Sequence, residues 1–247
     1  MQVFLDTANV KEIRRWLDEG LVDGVTTNPT VMLNDGVYDL ERGAKEIAAL
    51  VYPRPVSVEV TTNDHDEMLG QARGFAHWAE NIVVKIPVIN EFGTSSLRVA
   101  KTLEEENIRV NVTACLSYGQ ATMAAKVGAT YVSIFAGRVS DEGNDASKVI
   151  RITADWLARW GYAAKIIVGS IRRVYDILEA SEAGAHIVTI PPQFLPKLLD
   201  HKYSRDTVRG FNQDAQKAVA KMKELQVPAI NRRKVPPHVE ARFRTTR

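Results

Sequence analysis

Cysteine and long apolar stretches are scarce in this sequence. The 247 residues include one cysteine, Cys115, which excludes an internal disulfide framework and leads us to expect a reducing compartment, the cytoplasm by default. No run approaches the roughly 18 consecutive apolar residues that a membrane helix needs, so no membrane partner is expected. The first residues, MQVFLD, lack the basic region and apolar run of a signal peptide and are expected to be structural.

Nucleotide-binding glycine loops and paired metal ligands are missing as well. The first predicted strand ends in DTAN, where a dinucleotide-binding fold normally carries its glycine fingerprint, and no Walker-type loop occurs. The five histidines show no paired spacing with acids or cysteines, so no metal site is predicted. Ser117 and Cys115 lack an evident histidine partner, which disfavours serine or cysteine nucleophiles.

Charge of one sign is concentrated at the C-terminal end. The net charge is +2, but residues 232–247 hold six basic side chains against one acid. This local +5 leaves the rest of the chain at about −3, so the body offers no electrostatic case for nucleic acid. The basic segment is expected to be solvated or docked on another subunit, with an anionic partner as the alternative.

Eight short runs rich in β-branched residues recur along the chain, separated by segments with helical spacing. Strict alternation favours a parallel sheet with helical crossovers, and eight units in about 200 residues favour a closed barrel over an open doubly wound sheet. The fold class is therefore α/β, a single (β/α)8 TIM barrel. Capping residues, Thr7 or Asn9 and Asp145, precede two of the helices. The predicted strands are residues 3–6, 24–27, 56–61, 82–87, 109–113, 131–135, 165–168 and 187–190.

The chain is expected to contain three regions. Residues 1–203 form the catalytic barrel, and residues 204–226 form a further helix expected to lie between subunits. Residues 227–247 form a basic, proline-containing tail outside the barrel, which is expected to be disordered unless a partner orders it.

Polar side chains stand near the carboxyl ends of these apolar strands, where barrel enzymes carry their reactive groups. Lys85 is the most informative, because three aliphatic residues precede it and another follows. Burial disfavours an ammonium ion, and a neutral amine is what attack on a ketone requires. A lysine that reaches solvent, or one that forms a structural ion pair, is the alternative.

Carboxylates on other strands are expected to face the same mouth. Asp6 ends the first strand and Glu59 lies in the third, while Thr113 ends the fifth. A Schiff-base cycle needs groups that move protons during dehydration and carbon–carbon cleavage. Either acid alone also fits a salt bridge or a helix cap, but together with Lys85 they favour a catalytic constellation.

The seventh predicted strand is followed by a candidate anion site. The segment VGSIRR (168–173) places a glycine, a hydroxyl and two arginines at a strand-to-helix turn. Backbone N–H groups at such a turn, with an arginine, favour phosphate. Arg138 follows the sixth strand and is expected to be a second arm. Ion pairs between these arginines and Asp141 or Glu142 are the alternative.

In these motifs the chain resembles the transaldolase family, in particular its small transaldolases and fructose-6-phosphate aldolases. The resemblance runs from residue 4 to about residue 200. Its motifs occur in order and at matching spacing: FLDTA (4–8), GVTTNPT (24–30), IVVKIP (82–87), NVT (111–113), GATYVS (128–133) and SIR (170–172).

The resemblance implies a Schiff base on Lys85, with no metal or organic cofactor, and sugar phosphates as substrates. It assigns proton transfer to Asp6, and the holding of a catalytic water to Glu59 and Thr113. It implies a ring-like homo-oligomer, a pentamer or decamer. Residues implied to bind the dihydroxyacetone portion are Thr26, Asn28, Asn111 and Ser133; those implied to bind phosphate are Arg138, Ser170 and Arg172.

Two positions favour transfer over simple cleavage. The aldolases that release dihydroxyacetone resemble this chain but carry glutamine at position 59 and tyrosine at position 135, where this chain has Glu59 and Phe135. A phenylalanine cannot donate a proton to the carbanion, so the intermediate is expected to await an acceptor aldehyde. The hypotheses kept open are an aldolase, a transaldolase for another sugar, suggested by the longer loop VINEFGT (88–94), and a non-enzymatic sugar-phosphate-binding barrel.

Overall fold

Eight parallel strands close into a barrel in the computed structural model, which describes residues 1–225. Each strand pairs with its sequence neighbours, and β1 also pairs with β8. The predicted TIM barrel is confirmed, and the eight predicted strands match within two residues at each end. The strands are β1 Gln2–Asp6, β2 Gly24–Thr26, β3 Val56–Glu59, β4 Ile82–Pro87, β5 Val110–Cys115, β6 Tyr131–Phe135, β7 Lys165–Gly169 and β8 Ile187–Ile190.

Helices connect the strands, and the predicted caps begin two of them. Asn9 accepts hydrogen bonds from the N–H groups of Lys11 and Glu12, and Asp145 accepts one from Lys148, which satisfies backbone donors that a first helical turn leaves unpaired. The barrel-unit helices are α1 Val10–Asp18, α2 Pro29–Asn34, α3 Leu40–Val51, α4 His65–Ala76, α5 Leu97–Glu105, α6 Tyr118–Lys126, α7 Ala136–Asp141, α8 Ala146–Trp160 and α9 Val174–Glu182. A 3-10 turn, Pro192–Phe194, and α10 Leu195–Leu199 follow β8.

Two of these helices, α2 and α7, were not predicted. Each is six residues long and follows the carboxyl end of a strand, β2 or β6. Asn28 caps α2 and Pro29 occupies its first turn, a combination that starts helices because the cap accepts an N–H while proline needs no partner. This signal was present in the sequence, but the short apolar stretch after it gave no helical period.

The chain divides into two compact units, Met1–Leu198 and Leu199–Arg247. The described part of the second unit is the 23-residue helix α11, Lys202–Glu224, which is the predicted helix starting two residues early. Every residue of α11 is at least partly exposed. The predicted tail, residues 227–247, lies outside the described residues. Among residues 1–225, no helix is both long and apolar enough to span a bilayer.

Alternation along the strands separates two buried layers. Residues such as Leu5, Val84 and Ile134 join the large cluster formed with the helices. The alternate positions turn inward, and at the amino-terminal end of the barrel they form a separate apolar plug of Phe4, Val83, Tyr131, Ile167 and Ile187. One step further along the strands, the inward positions become polar. Apolar side chains therefore fill the amino-terminal end of the barrel interior, and polar side chains occupy its carboxyl-terminal end.

Gly24 is required by the packing of this plug. A Cβ placed on Gly24 would lie 2.7 Å from ring atoms of Phe4, and the ring is itself held edge-on by Tyr131. Gly24→Ala is therefore expected to lower the free energy of unfolding by about 1–3 kcal/mol through overpacking. Phe4→Leu should recover part of this loss, so that the two changes are less than additive in urea denaturation.

Gly70→Ala is the matched control for this pair. Gly70 lies on α4, where an added Cβ would meet no atom within 4 Å, so alanine should raise the free energy of unfolding by roughly 0.5–1 kcal/mol. Full additivity of Gly24→Ala and Phe4→Leu would contradict the proposed contact.

Candidate active site

Lys85 lies inside the barrel mouth, paired with a carboxylate from the neighbouring strand. Its Nζ is 3.0 Å from Glu59 Oε2 and donates to the Thr27 carbonyl oxygen at 3.1 Å. Glu59 and Lys85 stand opposite each other in the β3–β4 register, which brings both side chains to one inner level. Lys85 is 4% exposed, which confirms the predicted burial. The amine is therefore withdrawn from water and held within hydrogen-bond distance of one carboxylate oxygen.

Asp6 faces the same space from β1 without forming an ion pair with Lys85. Its Oδ1 accepts a hydrogen bond from Thr26 Oγ1 at 2.8 Å. Burial, above all, raises the pKa of Asp6 above its ordinary value of 3.8, and the negative charges of Glu59 and Asp35 add to the rise. The charge of Lys85 and the hydrogen bond from Thr26 oppose it. Asp6 therefore holds a proton more readily than an exposed aspartate.

A second polar network lies beneath the pocket on β3, β5 and β6. Asn111 donates to Ser57 Oγ at 3.1 Å and accepts from Ser133 Oγ at 2.7 Å. Asn111 is completely buried and Ser133 is 3% exposed. Buried polar groups whose hydrogen bonds are all made are rigid. This network therefore holds the Ser133 side chain in place at the bottom of the pocket.

Thr113 ends the inward-facing part of β5 and is unusual in its hydrogen bonding. Its Oγ1 is buried and has no hydrogen-bond partner among residues 1–225, a rare condition for a buried hydroxyl. The next residue, Ala114, has a φ of 57°, and the β5–β6 register shifts between Val112 and Cys115. This is a bulge, and bulges near barrel mouths re-aim neighbouring side chains.

A cavity of about 360 Å³ opens above Lys85. Nine of the twelve predicted site residues line it: Asp6, Thr26, Asn28, Glu59, Lys85, Ser133, Phe135, Arg138 and Ser170. Asn28 uses its Oδ1 to cap α2 through Val31 N, so its Nδ2 is the donor left for a ligand. The other three predicted site residues, Asn111, Thr113 and Arg172, do not line this cavity as the structure describes it.

One wall of the cavity combines an aromatic ring with a cation. The guanidinium carbon of Arg138 is 5.8 Å from the centre of the Phe135 ring, and Lys85 Nζ is 6.0 Å from it. Ser170 has a φ of 60°, a left-handed conformation that costs energy for a residue with a Cβ. Gly137 permits it, because a Cβ there would lie 2.0 Å from the Ser170 carbonyl oxygen.

The arginines after β7 differ from the predicted anion site. Arg172 forms an ion pair with Asp141 at 2.9 Å, the alternative that the sequence had left open. The N–H groups of Arg172 and Arg173 both donate to Asp176 Oδ2 at 2.8 Å, so these two backbone donors are engaged within the turn. Asp176 is 8% exposed and occupies the start of α9.

Four lining residues were not predicted: Pro29, Thr30, Val31 and Thr189. The first three belong to α2, whose helix was missed. Thr189 was detectable as the only hydroxyl within the apolar run IVTI of β8. Its hydroxyl is 2.6 Å from Thr26 Oγ1. Within residues 1–225, no three His, Cys, Asp or Glu side chains are grouped as metal ligands would be.

The family of the chain follows from a match over nearly all of its length. The family model for transaldolase/fructose-6-phosphate aldolase matches residues 3–236. This chain belongs to that family. The Schiff-base mechanism is general to the family.

Relatives support the assignment over most of their length. A probable transaldolase 2 of Listeria monocytogenes is 45% identical over 214 residues, covering 87% of this chain and 95% of that protein. Probable transaldolases of Lactiplantibacillus plantarum and Dehalococcoides mccartyi are 42% and 38% identical; each match covers 87% of this chain, and 96% and 97% of theirs.

Solved structures share the barrel alone. Thiamine phosphate pyrophosphorylase from Pyrococcus furiosus superposes with a TM-score of 0.55 at 14% identity, covering 77% of this chain and 85% of that one. A flavocytochrome b2 with sulfite bound gives a TM-score of 0.55 at 12% identity, covering 78% and 57%. At such low identity the likeness concerns the fold, not the activity.

The surroundings of Asp6 predict how its replacement changes stability with pH. Because the folded-state pKa of Asp6 is raised above 3.8, its ionisation destabilises the fold as pH rises through that pKa. The free energy of unfolding of Asp6→Asn, relative to the parent, should therefore increase from about pH 4 to pH 8 in urea titrations. A constant difference would contradict the raised pKa.

Asp145→Asn is the control. Hydrogen bonds from Lys148 and Ser147 lower the pKa of Asp145 below its ordinary value of 3.8. Its contribution is present above that value and lost as pH falls further. The difference between Asp145→Asn and the parent should thus stay flat between about pH 5 and pH 8.

Proposed function

We propose that this chain is a transaldolase that moves a dihydroxyacetone unit from a ketose phosphate to an aldose phosphate. Fructose 6-phosphate and sedoheptulose 7-phosphate are the donors expected. The observation that carries the proposal is the buried amine of Lys85, 3.0 Å from Glu59, at the floor of a cavity that Asp6 also lines. The printed names of its relatives point to the same activity.

Schiff-base formation begins with a proton transfer from Lys85 to Glu59. The neutral amine then attacks the ketose carbonyl carbon and forms a carbinolamine, whose hydroxyl leaves as water after protonation. An iminium ion on Nζ results. The short contact between the two groups makes the first transfer direct, and the low exposure of Lys85 keeps the amine reactive.

Carbon–carbon cleavage is assigned to Asp6. Its carboxylate removes the proton from the hydroxyl on the fourth sugar carbon, and the bond between the third and fourth carbons breaks. The electron pair moves into the iminium and produces an enamine, while the aldehyde departs. In the transfer step the enamine attacks the acceptor aldehyde, and Asp6 returns its proton to the new hydroxyl. A raised pKa suits an acid that gives and takes one proton per cycle.

Water activation is assigned to Glu59 and Thr113. A hydroxyl that is buried and unpaired within residues 1–225 is the kind of group that holds a water molecule. Glu59 accepts a proton from that water when it attacks the iminium. The bulge at Ala114 supports this role because it sets the direction of the preceding side chain.

Substrate recognition is divided between the two sides of the cavity. Thr26, Asn28 and Ser133 contact the hydroxyls of the dihydroxyacetone portion, with Asn111 acting through Ser133. Arg138 and Ser170 bind the phosphate, and Arg172 joins them when it leaves Asp141. The exposed Arg172–Asp141 pair is weak in water, so such an exchange is inexpensive.

Two further features of the enzyme remain predictions. Assembly into a pentamer or decamer rests on the family resemblance. The alternative of another natural sugar rests on the longer segment at residues 88–94, which folds back on itself near the carboxyl end of β4, with Asn90 N bonded to the Thr94 carbonyl.

Borohydride trapping tests the covalent step. With fructose 6-phosphate, reduction should attach a three-carbon fragment to Lys85, as read by peptide mass spectrometry. The enamine left after the aldehyde departs is in equilibrium with its protonated iminium form, and borohydride reduces that iminium. Lys85→Met should abolish the adduct and reduce turnover by at least a thousandfold, on the order expected for loss of a covalent nucleophile.

Lys165→Met is the matched control, since Lys165 lies at the exposed start of β7 and should leave the adduct intact. Absence of an adduct with any ketose, despite sugar-phosphate binding, would support the non-enzymatic barrel.

Phe135→Tyr tests why the intermediate waits for an acceptor. The ring centre lies 6.0 Å from Lys85 Nζ, so a phenol at this position can deliver a proton to the enamine or its water. Release of free dihydroxyacetone without acceptor should rise by on the order of tenfold to a hundredfold. Phe135→Leu, which adds no hydroxyl, should not show this gain. Equal release by the parent chain with and without acceptor would instead favour the aldolase.

A further inference from the structure

Three side chains form a hydrogen-bonded chain that ends on Asp6. Thr189 Oγ1 lies 2.6 Å from Thr26 Oγ1, and Thr26 Oγ1 lies 2.8 Å from Asp6 Oδ1. The two threonines are 6% and 2% exposed. They come from β8 and β2, the two strands that flank β1 in the barrel. Thr189 is thus connected to the acid without touching it.

Counting protons gives this chain a direction. An ionised carboxylate can only accept hydrogen bonds, so the single proton of the Thr26 hydroxyl points to Asp6. The contact between the two threonines then requires the proton of Thr189, because Thr26 has none left to give. Thr189 donates to Thr26, and Thr26 donates to Asp6. Each donor in such a series strengthens the next.

The packing of β8 holds Thr189 in the required orientation. Its neighbours Val188 and Ile190 belong to the cluster shared with the helices, so Thr189 turns inward. Gly169 leaves room for its methyl group, since a Cβ on that glycine would lie 3.3 Å from Thr189 Cγ2. A β-branched side chain has few rotamers, and with the methyl group beside Gly169 the hydroxyl is directed at Thr26.

We propose that Thr189 is a positioning residue for Asp6, acting through Thr26 to keep the acid's carboxylate oriented and ready to take the substrate's proton. This role rests on the proposed function, because it presupposes that Asp6 transfers protons during cleavage.

The groups that face Asp6 define what loss of Thr189 should change. They are Lys85 on β4, Glu59 on β3, Asp35 after α2 and Thr26 on β2. Without a donor of its own, Thr26 becomes a weaker donor to the carboxylate, while the other three charges stay in place. The hydrogen bond from Thr26 lowers the pKa of Asp6, so weakening it should raise that pKa further and reduce the ionised fraction at acid pH.

The test is the pH profile of kcat/KM for Thr189→Val with fructose 6-phosphate and an aldose phosphate acceptor. The midpoint of the acid limb should shift to higher pH by roughly 0.5 unit. Well below the midpoint, kcat/KM should therefore be roughly threefold lower than in the parent. Thr189→Ser should keep the parent profile because it restores the hydroxyl. Thr189→Ala is a second deletion, less dependent on packing, and should show the same shift.

Thr153→Val is the matched control for removal of a buried threonine hydroxyl. Thr153 is fully buried on α8 and bonds only within its helix, to the Val149 carbonyl, so its loss should leave the acid limb unmoved. In a Thr26→Val background, Thr189→Val should add no further shift, because the connecting hydroxyl is gone.

The borohydride adduct separates the two ways this can fail. If the parent forms an adduct on Lys85 and the limb is the same in Thr189→Val and Thr189→Ala, the positioning role is wrong although the Schiff-base chemistry stands. A shift that persists in the Thr26→Val background also overturns it. If the parent forms no adduct, the proposed function fails and the role of Thr189 falls with it.

Discussion

The ion pair between Lys85 and Glu59 is the interaction on which the rest of the barrel mouth depends. Both groups are withdrawn from water, Lys85 almost completely, and a buried charge without a partner costs several kcal/mol. The pair exists because β3 and β4 place the two residues at one level. Neighbouring strands then complete the surroundings with hydroxyls and with the amides of Asn28 and Asn111. With these uncharged groups around them, Glu59 pairs with the amine of Lys85, while the second carboxylate, Asp6, forms no ion pair with that amine.

Much of this arrangement was predictable because the period of a strand is simple. A lysine inside IVVKIP and an acid inside VSVE must either break the strand or face inward, and eight βα units bring the carboxyl ends together. The strands, the burial of Lys85 and the meeting of Asp6, Glu59 and Lys85 at one cavity follow from that logic. The use of positions 59 and 135 to separate the two branches, and the substrate contacts of Thr26, Asn28 and Ser133, required the family resemblance, since periodicity carries no information about which residue does which task.

The remainder depends on contacts between residues distant in sequence. The sequence left two alternatives for Arg172, an anion or an acidic partner, and only the folded chain shows that Asp141, 31 positions earlier, holds its side chain. The hydroxyl of Thr189 meets Thr26 across 163 positions, and only barrel closure makes them neighbours. The short helix α2 was missed for a different reason. Six residues are too few to show a helical period, although the capping residue that starts the helix can be recognised in the sequence.

The position of Asp176 affects how the substrate preference of such a barrel can change. Where the backbone N–H groups at a helix start bind an anion, a side-chain substitution does not remove that binding, because the donors belong to the main chain. Here Asp176 accepts hydrogen bonds from the N–H groups of Arg172 and Arg173 at the start of α9. Under the proposed function, selection between phosphorylated and plain sugars depends on side chains such as Arg138, which can be replaced without rebuilding a loop.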